Sequence, residues 1–355
     1  MKRNIDLKKI ILPALMVILA VLLILCMLIT PGKDPEKKQK TFYDLFDTVG
    51  TVLDYSGDTD EKFDENYQLV YHTLRYYNDI FDIYNDRENV VGIYEINKNA
   101  GIAPVEVPTE LIDFLEFCKE VHALTGGEVN VAMGAVLSLW HECRMVAAVA
   151  PASAMLPEEE SLIEAAKHCD INKLIINRAD STVYLEDKEM SLDVGAIGKG
   201  YAVEMAAKKL SEVGADGYVL DVGGNLRIIG AKPSGDGFKI GIKDPFGNAG
   251  VYVKILVLKN TSSVTSGGYE RYYTVGDKKY HHIIDKDTLY PSEKFASVTV
   301  ITEDSGLADV LSTALFCMSE EEGVTLVESL SGVEAVWVKN GGEVICSSGI
   351  EGFIK

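Results

Sequence analysis

The chain opens on its strongest hydrophobic signal. From Ile10 to Thr30 it reads IILPALMVILAVLLILCMLIT with no charge, about the length that crosses roughly 30 Å of hydrocarbon. A cleaved signal peptide would have a shorter apolar region and small residues before the cut. Cys26 follows Leu23-Ile24-Leu25, but the bulky Leu25 argues against lipoprotein cleavage. The pattern therefore predicts an uncleaved membrane anchor over residues 1–30. Residues 31–41 (PGKDPEKKQKT) have no apolar periodicity and read as a polar linker.

Beyond the linker the pattern alternates between the two periods. A strand is predicted around Thr48–Tyr55. In Asp64–Tyr84, Leu69, Leu74, Tyr77, Ile80, Phe81 and Tyr84 recur at near-helical spacing. A second helix is predicted from Pro108 to Leu124, before Gly126-Gly127, and another over Glu158–His168. Tyr218–Val222, Lys239–Ile242, Val251–Leu258 and Ser297–Thr302 read as strands. Hairpins are expected over Tyr272–Ile284 and Glu334–Cys346, with helices over Tyr201–Val213 and Ser305–Met318. No internal repeat is visible. The alternation predicts one α+β body of two intimately packed lobes, with mixed or antiparallel sheets and flanking helices, over residues 42–355.

Charge narrows the function. The net charge is −20, yet residues 1–40 carry eight Lys/Arg against three Asp/Glu, leaving 26 basic and 51 acidic residues beyond Lys40. Such acidity disfavours nucleic acid as a partner. A phosphate-bearing ligand would then need a metal ion to mediate its binding. Six scattered cysteines, with no C-x-x-C pair, indicate neither zinc nor a disulfide framework. Four lysines or arginines precede the apolar stretch and four lysines follow it, so the positive-inside count does not orient it.

Five segments could carry chemistry. In Ser191–Glu204 (SLDVGAIGKGYAVE), Gly195, Gly198 and Gly200 would let backbone approach a ligand at a helix start. A Walker A loop fails, because Gly200 stands where that motif has Ser or Thr. From glycine content alone, an ordinary strand–helix turn is the better reading. In Ser305–Met318, Asp309 and Thr313 share a face opposite Leu307, Leu311, Leu315 and Met318. The pair suits a hard cation or a solvated polar face. Ser263–Arg271 stands with Tyr280–Asp285 and Thr288, where His281 and His282 would point to opposite strand faces. Thr125–Trp140 and Leu220–Leu226 are glycine-rich turns, the first leading into an apolar run.

Taken in order, these segments resemble the ApbE family of FAD:protein FMN transferases. The family's motifs are echoed by Val49-Gly-Thr51, Tyr84, Thr125–Asn130 with Trp140, Asp193–Tyr201, Asp221–Asn225, Thr265–Arg271, His282–Leu289 and Ala308–Ala314. The resemblance covers residues 42–330. Val49 replaces a usual Met, Lys286 and Leu289 replace Pro and Gly, and Asn130 stands where Asp is commoner.

The resemblance implies an ApbE-like fold and transfer of FMN from FAD to a Thr or Ser hydroxyl, releasing AMP. It implies Mg²⁺ held by the Ala196 carbonyl, Asp309 and Thr313. It places FAD against Val49, Tyr84, Glu128, Val129, Asn130, Asp193, Lys199 and Ile283, and it makes His282 the base. Expected partners are FAD, acceptor subunits of membrane or extracytoplasmic flavin redox systems, and membrane lipid through the N-terminal helix. The catalytic domain is expected outside the cytoplasm. An FAD pyrophosphatase and a non-catalytic flavin-binding module are the alternatives.

Overall fold

Eight strands follow one another across a single sheet in chain order, every neighbouring pair antiparallel. They are β1 Lys38–Leu45, β2 Thr48–Asp54, β3 Tyr218–Val222, β4 Asn225–Ile229, β5 Ser262–Gly267, β6 Ser297–Thr302, β7 Glu334–Val338 and β8 Val344–Cys346. The structure is a computed structural model describing residues 35–269 and 271–354. The apolar stretch Ile10–Thr30, with Cys26, and Glu270 of the Thr265–Arg271 motif lie outside the described residues. Among those described, no helix is long and apolar enough to cross a membrane.

The expected linker is shorter than its composition implied. β1 begins at Lys38 and pairs with β2 from Lys38↔Asp54 onward. Pairing to β2 satisfies its backbone, and lysines are usual on such an edge strand. The β1–β2 turn is Phe46-Asp47, with φ of 55° and 50°, the two left-handed residues of a type I′ hairpin. Neither is glycine, so the turn is strained. Asn78 Oδ1 holds it by accepting from the Phe46 N–H at 2.8 Å.

Eight helices are described: α1 Asp60–Ile80, α2 Ile93–Lys98, α3 Thr109–Leu124, α4 Gly134–Val149, α5 Glu159–Ala166, α6 Gly198–Glu212, α7 Ser305–Cys317 and α8 Glu320–Ser329. Helices α1, α6 and α7 cover one face of the sheet. Alternation along the strands sorts the core: Tyr218, Leu220, Val298, Val300 and Trp337 join the helices, while Val219, Ile301 and Val336 pack against the hairpin Phe238–Leu258. Cover on both faces of the sheet leaves every residue of β6 buried, its Ser and Thr positions included.

The connection from β2 to β3 carries the second lobe, with α1–α6 and a small sheet of Val105–Glu106, Leu174–Asn177 and Thr182–Leu185. The hairpin of Tyr272–Val275 and Lys278–His281 packs on α4 through Trp140, Tyr273 and Tyr280. Trp140 Nε1 donates to the Leu289 carbonyl at 2.9 Å. Helix α1 stops four residues short of the predicted Tyr84. There Asp82 Oδ1 accepts the N–H groups of Tyr84 at 2.8 Å and Asn85 at 3.0 Å, an Asx turn competing with helix continuation.

Candidate active site

Helix α6 starts immediately after the glycine-rich turn and crosses α7 closely. A Cβ built on Gly200 would lie 2.4 Å from Asp309 Cβ and 2.6 Å from the Ser305 carbonyl. Only glycine permits that approach, and it brings the Gly200 N–H to 2.7 Å from Asp309 Oδ2. Gly200 is the third residue of α6, so its N–H has no acceptor within the helix and is free to donate to the carboxylate. Lys199 Nζ lies 3.3 Å from Asp309 Oδ1, so a cation already faces the carboxylate.

Asp309 is 7% exposed. It does not lie on a solvated polar face, the bland reading of its helical spacing. Burial raises its pKa, while Lys199, the Gly200 N–H and, more weakly, Asn225 pull it down without reversing the shift. Asn225 Nδ2 is itself buried without a partner of full hydrogen-bond geometry. Thr313, one turn along α7, has Oγ1 3.2 Å from Ser266 Oγ. Ala196, Asp309 and Thr313 offer a carbonyl, a carboxylate and a hydroxyl. Among the described residues no three of His, Cys, Asp and Glu cluster as a metal cage. One carboxylate with neutral oxygens suits Mg²⁺, which keeps waters and takes substrate phosphate as further ligands. These residues fit the ion.

Beside the Phe46-Asp47 turn, Arg271 Nη2 donates to the Asp47 carbonyl at 3.1 Å. The Arg271 carbonyl accepts from His282 Nδ1 at 3.1 Å. A carbonyl can only accept, so Nδ1 carries hydrogen. The His282 side chain keeps an edge open to solvent, but protein packed around the rest of the ring lowers its pKa to about 4. The ring is therefore neutral near pH 7, with the Nε2 lone pair uncommitted. His281 differs: Nε2 donates to the Ser292 carbonyl at 2.8 Å, and Nδ1 accepts from the Ile283 N–H at 3.2 Å. Both of its nitrogens are used in holding the loop. The strand ends at His281, so His282 is placed by that loop rather than by strand alternation.

Tyr84 and Val49 are exposed, at 57% and 51%. The Tyr84 ring stacks on His141 at 4.7 Å between centroids and 26° between planes, with its OH 3.2 Å from His141 Nδ1. Arg144 Nη2 lies 2.9 Å from the same nitrogen. The protein around the Tyr84 hydroxyl and then the Asp193 charge push its pKa up to about 12. Arg144 acts electrostatically on Tyr84, His141, Asp193 and His282. Burial raises the pKa of Asp193, whose Oδ1 accepts the Gly195 N–H at 2.9 Å. Sequence reading missed His141 and Arg144. Their signal was an i, i+3 pair directly after Trp140, legible only once α4 is known to be a helix.

The Asp193 N–H donates to Val131 at 2.8 Å, placing Glu128–Asn130 alongside. Val129 is buried. Asn130 is spent on structure: Nδ2 donates to the Cys169 carbonyl at 2.8 Å and Oδ1 accepts the Ala132 N–H at 2.9 Å. Burial raises the pKa of Glu128, and Lys286 opposes the shift from 3.3 Å. Lys286, one of the departures from the family motif, thus engages an expected ligand-site residue. Leu289, the second departure in the same loop, sits at φ 61°, where glycine would be unstrained; its N–H bonds to the Asp285 carbonyl at 2.9 Å. Ile283 is buried beside this loop. A recess of about 330 Å³ opens between Gly126, Gly127, Asn130, Lys286 and Leu289. A larger one, about 500 Å³, is bordered by Tyr55, Leu226, Phe238 and Val257 and contains none of the site residues. The five described cysteines are free thiols.

A model of the ApbE family matches residues 46–337. An FAD:protein FMN transferase of Treponema pallidum is 32% identical over 270 residues, covering 72% of each chain. One from Klebsiella pneumoniae is 27% identical over 280 residues, covering 79% of this chain and 84% of its own. The crystal structure of the ApbE protein from Thermotoga maritima superposes with a TM-score of 0.78 at 26% identity, covering 90% of this chain and all of the other.

Proposed function

This chain belongs to the ApbE family, and from that premise we propose that it transfers FMN from FAD to a Thr or Ser hydroxyl of an acceptor protein, releasing AMP. The state of His282 carries the reading. With Nδ1–H bonded to the Arg271 carbonyl and the ring neutral, Nε2 is free to take the proton of the acceptor hydroxyl. The acceptor oxygen forms a bond to the FMN-side phosphorus. The bond from that phosphorus to the bridging oxygen breaks, and AMP leaves with the electron pair, so FMN becomes joined to the acceptor by a phosphoester.

Ala196, Asp309 and Thr313 are the residues to hold Mg²⁺, which would neutralise phosphate charge as the leaving group departs. Lys199, in the first turn of α6, adds positive charge where helix N–H groups already favour an anion. Tyr84 on His141 offers an aromatic face to a ring of FAD. Val49, Glu128, Val129, Asn130, Asp193 and Ile283 complete the binding surface, with Asn130 contributing backbone because its side chain is engaged. The uncharged stretch Ile10–Thr30 supports a single membrane anchor, and the family resemblance, not the flanking charge, favours a catalytic domain outside the cytoplasm beside membrane redox proteins.

The solvent-open edge of His282 also supports a second reading, in which water replaces the acceptor and FAD is hydrolysed to FMN and AMP. Incubating the full chain with FAD, Mg²⁺ and candidate membrane flavoprotein subunits separates the two. Mass spectrometry should show FMN covalently bound to an acceptor Thr or Ser, with AMP in equal amount. AMP and free FMN without a labelled acceptor would establish the hydrolase instead. No AMP at all would leave a binding module.

A further inference from the structure

Asn225 closes the glycine-turn motif Asp221–Asn225 but is not among the residues that would hold FAD or the metal. The Gly223-Gly224 turn, with φ of 57° and 81°, sets it opposite Val222 as the first residue of β4. Its side chain is fully buried. A Cβ built on Gly200 would lie 2.9 Å from Asn225 Nδ2 as well as 2.4 Å from Asp309 Cβ, so the amide shares the narrow gap that holds the carboxylate. Nδ2 acts on Asp309 as a donor, yet it lacks a partner of full hydrogen-bond geometry. A buried donor left in that state costs stability.

The amide's orientation follows from its neighbours. A carboxylate can only accept, so the NH₂ end faces Asp309. Oδ1 then faces the other way and accepts from Ser305 Oγ at 2.5 Å. Ser305 is the first residue of α7 and is itself held, because its N–H donates to Glu204 Oε2 at 2.9 Å. The same oxygen accepts from Arg227 Nε at 3.0 Å, and both Glu204 and Arg227 are buried. Arg227 lies two residues beyond Asn225 on β4 and so shares its face of the sheet. The chain Arg227–Glu204–Ser305–Asn225 ties β4, α6 and α7 together and ends at Asp309.

Lys199 competes with any metal ion for this carboxylate, with Nζ 3.3 and 3.4 Å from its two oxygens. We propose that Asn225 is a positioning residue for metal binding. Held by Ser305, its amide acts with the Gly200 N–H to fix the Asp309 carboxylate, so that the remaining lone pairs are kept for a divalent cation rather than given up to Lys199. The inference deepens the Mg²⁺ reading given above and rests on it, and separate variants test each.

Mn²⁺, a paramagnetic ion that takes the same oxygen ligands as Mg²⁺, is titrated into the full chain without FAD, and free Mn²⁺ is read by electron paramagnetic resonance. Binding present in the wild type and lost in Asp309→Asn defines the site. Asn225→Ala should raise the Mn²⁺ Kd by about 10- to 100-fold, the usual cost of removing a group that orients a metal ligand. Ser305→Ala, which frees the amide to turn, should raise it by a smaller factor. Val219→Ala opens a cavity on the opposite face of the sheet and should lower Tm without moving the Kd. An unchanged Kd in Asn225→Ala, or an equal rise in Val219→Ala, would overturn the proposal. If Asn225→Ala does not fold, Ser305→Ala decides, and an unchanged Kd there overturns it. No Mn²⁺ binding by the wild type would remove the metal reading and this inference with it; binding that needs Asp309 but not Asn225 removes the inference alone.

Discussion

Two adjacent histidines show how hydrogen bonding separates roles that composition cannot. His281 uses both ring nitrogens on backbone, while His282 uses one and keeps the other lone pair. We expect His282→Ala to slow FMN transfer on the order of 10²–10⁴-fold, the usual cost of losing a general base, with FAD affinity little changed. Single-turnover rates and FAD titration would check this, and normal transfer would move the base elsewhere. The base works as the neutral ring, so activity is lost as pH falls through its pKa. Protein packed around the closed side of the ring depresses that pKa to about 4, so the acid limb of kcat/KM should lie well below 6.5; a limb at 6.5 or above would implicate another group. Asp309 invites a subtler substitution than its helical spacing suggests. Because it is buried and accepts the Gly200 N–H, Asp309→Ala would strand that donor at about 1–3 kcal/mol and confuse folding with metal loss. Asp309→Asn keeps the volume and should abolish Mg²⁺-dependent AMP release while leaving the circular dichroism spectrum unchanged.

At the scale of elements the site depends on how closely α6 and α7 approach. Gly200→Ala would put a methyl group into Asp309 Cβ and the Ser305 carbonyl. Overpacking of this kind costs roughly 1–3 kcal/mol, and here it also pushes a proposed metal ligand aside. A lower Tm together with weaker Mg²⁺ activation is expected; unchanged values in both would mean the helices can separate freely. Thr313→Val should weaken Mg²⁺ activation in the same direction but less, since a hydroxyl holds the ion less strongly than a carboxylate. Much of this was legible beforehand. Strands at Tyr218–Val222 and Ser297–Thr302 have the predicted bounds, and α7 ends one residue early, because strong periodicity fixes such elements. Helix α4 was not legible, since Thr125–Met133 reads as a glycine-rich loop and hides the helix beyond it. The three short strands of the second lobe, two to four residues each, are too brief for any period to register. That the sheet follows chain order was also hidden, because β2 and β3 pair across an insertion from Tyr55 to Gly217 that holds six of the described helices. The burial of Asp309 depends on α6, which the sequence of α7 cannot report.

Over the whole molecule, charge sets the terms on which a dinucleotide can bind. Beyond Lys40 there are 51 acidic and 26 basic residues, so approach of a pyrophosphate is opposed at long range. The cations near the site are already engaged: Lys199 faces Asp309, Lys286 faces Glu128, and Arg271 holds the Phe46-Asp47 turn. None forms an arginine cluster for phosphate. A divalent ion would change that balance by neutralising Asp309 and presenting positive charge to the phosphates together. Metal removal should therefore weaken FAD binding itself, beyond stopping chemistry. We expect chelation of Mg²⁺ to lower FAD affinity by about tenfold or more, equivalent to roughly 1.4 kcal/mol. A ligand at about a hundred times its Kd also adds about 2.7 kcal/mol to folding stability, so FAD with Mg²⁺ should raise Tm more than FAD with chelator. In Asp309→Asn that difference should vanish. Equal FAD affinity with and without Mg²⁺, measured by calorimetry on the full chain, would show that the protein's own cations suffice and would remove the metal from binding.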